Sequence, residues 1–356
     1  METIIITRVP LQSQMGGEEI HTLSVANYLR DQGYRVVFAT KCKVLHKLAK
    51  ENGFKRLWLK DFPPSPTTKG SLLWFTLIFP FALIGSLIMY AFIRLRYGKA
   101  TFYMLNLSDK ILFGFWLKIF GNKSVCLEHA TIGRWLLKNP FLRVYKWVLS
   151  SNHIKLVSVS RLMKYKLESG LRLPCLDIRN GVELDRHLEA DNLSRERDSK
   201  QILFVGRLEV DKGFDKLIQI AKHNPNLKFV VFGTGSLESE ALNVQNIELK
   251  GFVDRKNLKF WYRSSQMLLL PAVKMDPFGL VVPEAMNQGC VVMCSQLVGA
   301  SDYLDSDFVC DINDFEQEFD LYYKRSFKLN KKAYQASLEF DQQNMFESYL
   351  RLLKAL

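Results

Sequence analysis

Two carboxylates with seven residues between them, Asp276 and Glu284, are the residues of this chain best suited to bind a hydroxylated ligand. Asp276 begins an Asp-Pro-Phe-Gly turn, in which Gly279 allows a ligand to approach the backbone closely. Pro283 favours the first turn of a helix, so Glu284 is expected near its start. Carboxylates accept hydrogen bonds from hydroxyls, and amides at a helix start bind phosphate. The pattern predicts a site for a polyhydroxylated, phosphorylated ligand. The alternative is an ordinary strand–loop–helix joint with two solvated acids.

Two cations, Arg207 and Lys212, follow the first predicted strand of the second half of the chain. They lie in the segment 206–214, and Gly213 opens the helix that comes next. Arginine offers a forked contact to phosphate, whereas lysine offers a point charge. Two cations beside a helix start predict a diphosphate site. A solvated surface pair is the alternative.

Glycines mark two further strand ends. Gly233 and Gly235 form a GxG turn that lacks the last glycine of GxGxxG. No acid follows about 20 residues later at the end of a next strand, which disfavours a nicotinamide cofactor. Gly16 and Gly17 follow the first predicted strand, where backbone amides can close on a phosphate or a sugar.

His129 follows a predicted strand, and its ring could hydrogen-bond a sugar hydroxyl. A structural histidine is the alternative. The remaining histidines lack the spacing of a metal site, and neither a Ser/His/Asp triad nor a GxxxxGK[ST] loop occurs. Asp305-Ser306-Asp307 has a form that holds a divalent metal in other folds, but it lies late in the chain, in a predicted turn. No metal site is therefore expected.

The composition indicates a globular protein of two domains. The length of 356 residues exceeds one ordinary core, and 48% hydrophobic with 24% charged residues argues against disorder. The six cysteines include no Cys-x-x-Cys pair, and Cys290 and Cys294 are predicted to be packing residues in a reducing compartment. The chain begins directly with a strand-like run, so no signal peptide is expected.

The positive charge is concentrated in the first half. Residues 1–185 contain 27 Lys and Arg against 12 Asp and Glu, a net of +15, whereas residues 186–356 have a net of −2. A basic half suits nucleic acid, an anionic membrane or an acidic substrate. No aromatic-basic motif supports nucleic acid, and the apolar segment 71–93 favours the membrane.

Segment 71–93 is an uncharged apolar run with basic residues on both sides, long enough to cross a bilayer. Strands before and after it are predicted to share one sheet, and a crossing would separate them. A monotopic element in one leaflet, with helices bent at Pro80 or Gly85, is therefore preferred over a true span or a buried core helix. The aromatic residues expected at the headgroup level are Trp74, Tyr90 and Tyr97.

Strands and helices alternate in both halves, which predicts an α/β protein with parallel sheets covered on both faces. Residues 1–185 are predicted to form a Rossmann-like lobe, 186–200 a polar linker, 201–335 a second lobe and 336–356 a C-terminal helix. Two such lobes suggest a ligand cleft between them, at the carboxyl ends of the strands.

The order of these motifs resembles the retaining GT-B glycosyltransferases of family 4. The matching segments run over most of the chain: Gly16-Gly17, Glu128-His129, Ser158–Ser160, Asn180–Glu183, Phe204–Leu208, Asp211–Gly213, Gly233–Gly235, Gly251–Val253, and the acids Asp276 and Glu284. The resemblance implies two Rossmann-like lobes, a nucleotide-sugar donor held mainly by the C-terminal lobe, an acceptor in the N-terminal lobe, and a last helix that crosses back. It implies no metal and no cofactor, since the nucleotide-sugar is a substrate.

By the resemblance, four residues have catalytic roles. Arg207 and Lys212 would hold the diphosphate and stabilise its developing charge. Asp276 would contact the donor sugar, and His129 would face the transferred sugar. Same-face attack, with the leaving diphosphate accepting the acceptor proton, needs no carboxylate nucleophile. Asp276 departs from the glutamate usual in the family, which shortens this side chain.

The resemblance further implies a set of donor-binding residues. Besides Arg207, Lys212 and Asp276, these are Gly16 and Gly17 over the phosphates, Gly251, Phe252 and Val253 near the base, the main chain of Phe278, Gly279 and Leu280 beside the sugar, and Glu284 at the ribose hydroxyls.

The expected function is transfer of a sugar from a UDP- or GDP-sugar to a lipid-linked glycan in surface polysaccharide, lipopolysaccharide or glycolipid synthesis. The enzyme would be peripheral or monotopic on the cytoplasmic face of the membrane and would contact its anionic surface. One alternative is a GT-B enzyme that acts on a soluble acceptor or epimerises a nucleotide-sugar. Another is a non-catalytic subunit that binds nucleotide-sugar without turnover, and a nucleic-acid binder is the last.

Overall fold

The computed structural model describes residues 1–9, 16–59, 63, 65, 66, 68–129, 139–186 and 197–356. The chain divides into two compact units. Unit 1 comprises Met1–Ile178 and Phe346–Leu356, and unit 2 comprises Arg179–Met345. Most of the stretch predicted as a linker lies outside the described residues, and its last residues begin a strand at Asp198.

Unit 1 is built on a seven-stranded sheet in which all neighbouring strands are parallel. Its strands are β1 (Thr3–Arg8), β2 (Arg35–Thr40), β3 (Lys55–Trp58), β4 (Ala100–Met104), β5 (Ser124–Glu128), β6 (Ile154–Ser158) and β7 (Leu176–Asp177), in the order β3-β2-β1-β4-β5-β6-β7. The described helices are α1 (Gly17–Asp31), α2 (Lys43–Glu51), α3 (Lys69–Tyr97), α4 (Leu107–Ile119), α5 (Phe141–Leu149) and α6 (Arg161–Leu171). The central strands are almost wholly buried because helices cover both faces.

Unit 2 repeats this plan with a six-stranded parallel sheet. Its strands are β8 (Asp198–Val205), β9 (Lys228–Phe232), β10 (Ile247–Leu249), β11 (Ser265–Leu270), β12 (Val291–Ser295) and β13 (Val309–Cys310), in the order β10-β9-β8-β11-β12-β13. Its helices are α7 (Phe214–His223), α8 (Glu238–Ala241), α9 (Arg255–Ser264), α10 (Val281–Asn287), α11 (Phe315–Ser326) and α12 (Asn330–Ser337). The last helix, α13 (Gln342–Ala355), begins in unit 2 and continues in unit 1. Two parallel Rossmann-like sheets confirm the predicted α/β class.

The apolar segment forms one continuous helix, α3, which runs through Pro80 and Gly85 where several helices were expected. Proline lacks only one N–H, so the remaining helix bonds can carry the chain through it. Thr68 caps the start, where it exchanges hydrogen bonds with Ser71. Only 11% of its most apolar window is buried, so α3 is not a core helix.

Two opposite faces of α3 have different surroundings. The buried face packs against α4 and the start of α5 and contains Phe75, Ser86, Tyr90 and Ile93. The exposed large apolar residues are Leu73, Trp74, Leu77, Phe81, Ile84, Ile88, Phe92 and Leu95. At 3.6 residues per turn they fall within an arc of about 100°, opposite the buried face. We call this set the α3 stripe.

Tyr90 is buried, so its predicted place among lipid headgroups was wrong. Its hydroxyl donates to Oδ1 of Asn122 at 2.6 Å, and its ring stacks on Phe120. A buried phenol needs such a partner, and the polar loop after α4 supplies it.

Candidate functional site

In unit 2, the structure brings two of the predicted site residues together. Nζ of Lys212 donates to Oδ2 of Asp276 at 2.6 Å, across 64 positions of sequence. Both side chains are mostly buried, at 20% and 15% exposure. The other carboxylate oxygen, Oδ1, accepts from the Phe278 N–H at 3.2 Å. The carboxylate is therefore held from two sides.

Backbone contacts fix the loops that carry this pair. Gly213 adopts φ +71°, and a Cβ there would lie 1.8 Å from the Pro271 carbonyl oxygen, so only glycine fits. The carbonyl of Asp211 accepts from the N–H groups of Val273 and Lys274, both at 3.1 Å. The helix predicted from Gly213 begins at Phe214, after a 3₁₀ turn that ends at Lys212.

Arg207 is more exposed than Lys212. Its side chain is 61% exposed, and Nη2 donates to Oδ2 of Asp211 at 2.6 Å. An exposed i,i+4 pair of this kind is weak because water and salt screen it. The guanidinium is therefore readily available to an anion.

Glu284 lies in the first turn of α10, as predicted, and its side chain is 14% exposed. The Tyr262 hydroxyl donates to Oε2 of Glu284 at 3.2 Å. Oε1 contacts Nη2 of Arg255, the first residue of α9. Burial raises the pKa of the Tyr262 phenol and lowers the pKa of Arg255. Arg255 and Tyr262 were missed, because no motif links either residue to Glu284.

The predicted base-side segment lies after β10. The carbonyl of Gly251 accepts from the N–H of Gly233 at 2.9 Å, which joins the two glycine turns. Phe252 is 73% exposed, and Val253 is partly buried. An exposed aromatic ring beside two glycine turns offers a face on which a planar group could stack.

The segment Phe278–Leu280 contributes less free main chain than predicted. The Phe278 amide is engaged by Asp276, and its ring is buried against Phe340. Gly279 has φ +76°, and a Cβ there would lie 2.5 Å from Cγ1 of Val298. Glycine is therefore required for packing at this turn, whatever binds there, and Leu280 is the N-cap residue of α10.

In unit 1, His129 follows β5, and its Nε2 is enclosed without a hydrogen-bond partner among the described residues. Its ring meets the His21 ring edge-on, with the centroids 4.9 Å apart. His21 Nε2 lies 3.2 Å from the Tyr349 hydroxyl of α13. Burial, helped by nearby positive charge, holds the pKa of His129 well below its ordinary value. His129 is therefore neutral at pH 7, and suits hydrogen bonding to a hydroxyl better than proton transfer.

Gly16 and Gly17 lie at the start of α1, with Gly16 as its N-cap. Residues 10–15, which precede them, lie outside the described residues. Beside them, Nη1 of Arg8 contacts Oε1 of Glu19 and lies 3.4 Å from Oε1 of Glu18. Burial raises the pKa of the Glu18 carboxyl. These charges were missed, although Arg8 is visible as a cation at the end of an apolar strand.

A second buried cluster of ionisable side chains lies around the start of α4. Oδ1 and Oδ2 of Asp109 accept from the Val9 N–H at 3.0 and 3.1 Å, and burial raises the pKa of Asp109 to about 8. Nζ of Lys110, fully buried, lies 2.9 Å from Oε1 of Glu128, which also accepts from the Tyr145 hydroxyl at 2.7 Å. The adjacent Asp-Lys pair was the only sequence signal for this group.

The Asp-x-Asp turn has a partner that occupies both acids. Nζ of Lys332 lies 2.8 Å from Asp305 Oδ2 and 2.6 Å from Asp307 Oδ2. Among the described residues, no group of three or more His, Cys, Asp or Glu side chains could hold a metal ion. Cys290 and Cys294 are buried packing residues, as predicted.

Part of this chain is similar to a known protein family. Residues 185–333 match the family described as "Glycosyl transferases group 1". The matched region is less than half of the 356 residues and lies within unit 2. It includes four of the predicted site residues: Arg207, Lys212, Asp276 and Glu284.

Two relatives and one solved structure show how much of this chain is similar to known proteins. An uncharacterized glycosyltransferase of Methanocaldococcus jannaschii is 37% identical over 114 residues, covering 29% of this chain and 28% of that protein. The phosphatidyl-myo-inositol mannosyltransferase of Mycobacterium tuberculosis is 29% identical over 181 residues, covering 47% of this chain and 48% of that protein. The chain thus spans half or less of these two relatives.

The structure of Anabaena HepE in complex with UDP has a TM-score of 0.77, with 15% identity and complete coverage of both chains. At that identity, the likeness shows the fold alone. The chain has the GT-B fold, as the resemblance implied.

Proposed function

We propose that this chain transfers a sugar from a nucleotide-sugar to a hydroxyl of a lipid-linked or glycan acceptor, with retention and without a metal. One observation carries the proposal: in the matched region, Lys212 and Asp276 lie within hydrogen-bond distance, and Arg207 pairs with Asp211, the residue before Lys212. A diphosphate joined to a sugar supplies anionic oxygens for the cations and hydroxyls for the acid. Glu284 would accept the ribose hydroxyls, and Gly251, Phe252 and Val253 would lie near the base.

The proposed reaction uses the donor's own diphosphate as the base. The bond between the sugar's anomeric carbon and the diphosphate oxygen breaks, and the acceptor oxygen forms its bond on the same face. The acceptor proton passes to a phosphate oxygen. Arg207 and Lys212 stabilise the charge that develops on the leaving group, which is commonly the largest contribution to catalysis of this type.

His129, Gly16 and Gly17 carry the roles in unit 1 that the family resemblance implies. A neutral His129 can donate to or accept from a hydroxyl of the transferred sugar. The two glycines at the start of α1 are proposed to approach the phosphates. No carboxylate nucleophile is required in this scheme.

The α3 stripe supports a lipid-linked acceptor and a monotopic enzyme on the cytoplasmic face of an anionic membrane. The helix is 29 residues long with a mean hydropathy of 2.2 in its most apolar window. It connects β3 and β4, strands of one sheet, and part of it packs on α4. A helix held to one domain in this way suits lying along a membrane with its stripe in one leaflet.

Basic residues complete the membrane-facing surface. Lys69, Arg94, Arg96 and Lys99 flank the stripe, and residues 1–185 have a net charge of +15. Cations within a Debye length of anionic lipid strengthen binding. The relative from Mycobacterium tuberculosis is named for a phosphatidyl-inositol acceptor, which supports a lipid acceptor here.

Nucleotide release tests the enzymatic proposal. We expect the wild-type protein to release nucleotide from one donor of a UDP-, GDP- and ADP-sugar panel, in detergent with a lipid-linked acceptor fraction and EDTA. Glu284→Gln should raise the KM for that donor about tenfold or more, since the neutral amide keeps only one acceptor oxygen and loses the charge-assisted hydrogen bonds to the ribose hydroxyls. Donor binding without release would support the non-catalytic alternative, and loss of release in EDTA would contradict metal independence.

Liposome flotation tests the membrane proposal. Replacing Leu77, Phe81, Ile84 and Ile88 by Ser removes exposed apolar surface and should reduce binding to anionic vesicles about a hundredfold. Replacing exposed Leu242 and Phe260 of unit 2 by Ser is the matched control and should leave flotation intact. Equal flotation of both variants would contradict the proposal. These substitutions are cleaner than deleting 71–93, which would also remove buried Phe75 and Tyr90.

A further inference from the structure

Each acid expected to contact the donor already has a cationic neighbour in unit 2. Asp276 accepts from Lys212 at 2.6 Å, and Glu284 contacts Arg255. The pair of Lys212 and Asp276 is unusual because one member is expected to bind phosphate and the other the sugar. A ligand that engages only one member therefore disturbs the other.

The carboxylate of this pair is held in place, and the backbone beside its lysine is fixed. The N–H of Asp276 donates to the Leu297 carbonyl at 2.9 Å, and its own carbonyl accepts from Gly299 at 2.9 Å. Its Oδ1 is held by the Phe278 N–H. Lys212 precedes Gly213, which lies so close to the Pro271 carbonyl oxygen that no Cβ would fit. Phosphate must therefore approach a lysine whose charge is already compensated by a fixed carboxylate.

We infer that Asp276 sets the preference of this site for an intact nucleotide-sugar over the free nucleoside diphosphate. The inference rests on the proposed function. When the diphosphate alone binds, it competes with Asp276 for the Lys212 ammonium and leaves a mostly buried carboxylate with less compensation. When the sugar is attached, its hydroxyls donate to that carboxylate and restore the lost hydrogen bonding.

The consequence concerns release of the product. After transfer, the nucleoside diphosphate no longer carries the sugar, so the site holds it less tightly than the donor. Asp276 acts here on the diphosphate through Lys212, in addition to its expected contact with the sugar. Neutralising Asp276 should therefore strengthen binding of the diphosphate, an effect opposite to that of ordinary damage to a binding site.

Equilibrium titration with UDP and GDP, used as diphosphate probes, tests the inference. We expect Asp276→Asn to bind the preferred diphosphate about five- to twentyfold more tightly than wild type, because Lys212 loses its anionic partner. Asp276→Glu keeps the negative charge and should stay within about threefold of wild type. In a Lys212→Met background, Asp276→Asn should change affinity less than about twofold, since the shared cation is gone.

Other outcomes overturn it in distinguishable ways. Unchanged or weaker diphosphate binding by Asp276→Asn, with wild-type circular dichroism and melting temperature, refutes the inference alone. An equal gain in the Lys212→Met background also refutes it, because the effect would then be simple repulsion from Asp276. If neither wild type nor Asp276→Asn binds UDP or GDP, both the inference and the expected UDP- or GDP-sugar donor are refuted.

Discussion

Units 1 and 2 share a parallel, Rossmann-like architecture, but their functional residues are held differently. In unit 2 the predicted residues pair across a partly open surface, as in Lys212 with Asp276 and Arg207 with Asp211. In unit 1 the charged residues are buried under loops and helix starts, as in Lys110 with Glu128. The family match covers 185–333 and therefore only unit 2.

This difference shows that the functional residues of the two units have different structural requirements. A phosphate and sugar site needs particular cations, acids and glycines at fixed spacing, so it leaves a motif in the sequence. A buried ion pair and an exposed apolar helix face need only suitable burial, which many spacings provide. The buried ion pairs of unit 1 and the exposed face of α3 therefore become visible only when the chain is folded.

Removing Lys212 should give the largest effect. We expect Lys212→Ala to lower kcat/KM for nucleotide release about 10²- to 10³-fold, since a charge at the leaving group is lost. Lys216→Ala, four residues along and paired with Glu316, is the matched control and should retain wild-type rates. Similar losses in both variants would show that unit 2 fails by unfolding and not by chemistry.

Two glycines with similar backbone angles should separate packing from conformational strain. Gly213→Ala should destabilise the protein by about 2–4 kcal/mol, since the new Cβ meets the Pro271 carbonyl. Gly33 in unit 1 has φ +87°, and a Cβ added there would have no atom within 4 Å. Gly33→Ala should therefore lower the free energy of unfolding by only about 1 kcal/mol. Urea denaturation measures both, and equal destabilisation would contradict the packing argument.

The buried Asp109 in unit 1 predicts that the stability of the protein depends on pH. Its pKa is about 8 in the folded protein against 3.8 for the free group, so the folded state holds a proton that the unfolded state has lost. The stability that this proton contributes is fully present below about pH 4, falls as the pH rises from 4 to 8, and is lost above about pH 8. Asp109→Asn, which does not titrate, should gain stability relative to wild type by about 1.4 kcal/mol per pH unit in that range.

Urea denaturation of wild type and Asp109→Asn at pH 5 and pH 8 checks this expectation. The advantage of the variant should be larger at pH 8 than at pH 5 and should level off above pH 8. A constant difference between the two proteins would mean that Asp109 is already ionised in the folded state.

His129 should give the smallest effect on turnover. We expect His129→Gln to lower kcat about tenfold, because one hydrogen bond to the transferred sugar is lost or displaced. The shape of the pH–rate profile between pH 6 and 8 should not change, since the pKa of His129 lies well below that range. His223→Gln, an exposed residue at the end of α7, is the control. Loss of an inflection in the variant would assign proton transfer to His129.

Much of the fold followed from the sequence because apolar strands and amphipathic helices alternate with a clear period. The two sheets agree with prediction, as do the positions of Lys212 beside the start of α7 and of Glu284 in the first turn of α10. Other expectations failed where packing decides, since Tyr90 is buried and the Phe278 amide is engaged by Asp276. Pro80 does not end α3, because a long helix tolerates one missing N–H.

The sequence by itself determined the α/β class, since that depends on the periodicity of strands and helices, and its motifs carried the resemblance that implied the GT-B architecture and the site residues of unit 2. Only the tertiary structure decided which groups meet: Asp276 with Lys212, Glu284 with Arg255 and Tyr262, and His21 with His129. It also decided that Tyr90 faces the protein while the α3 stripe faces outward. Contacts between residues far apart in sequence, and the burial they produce, depend on how elements pack, and no local pattern records that.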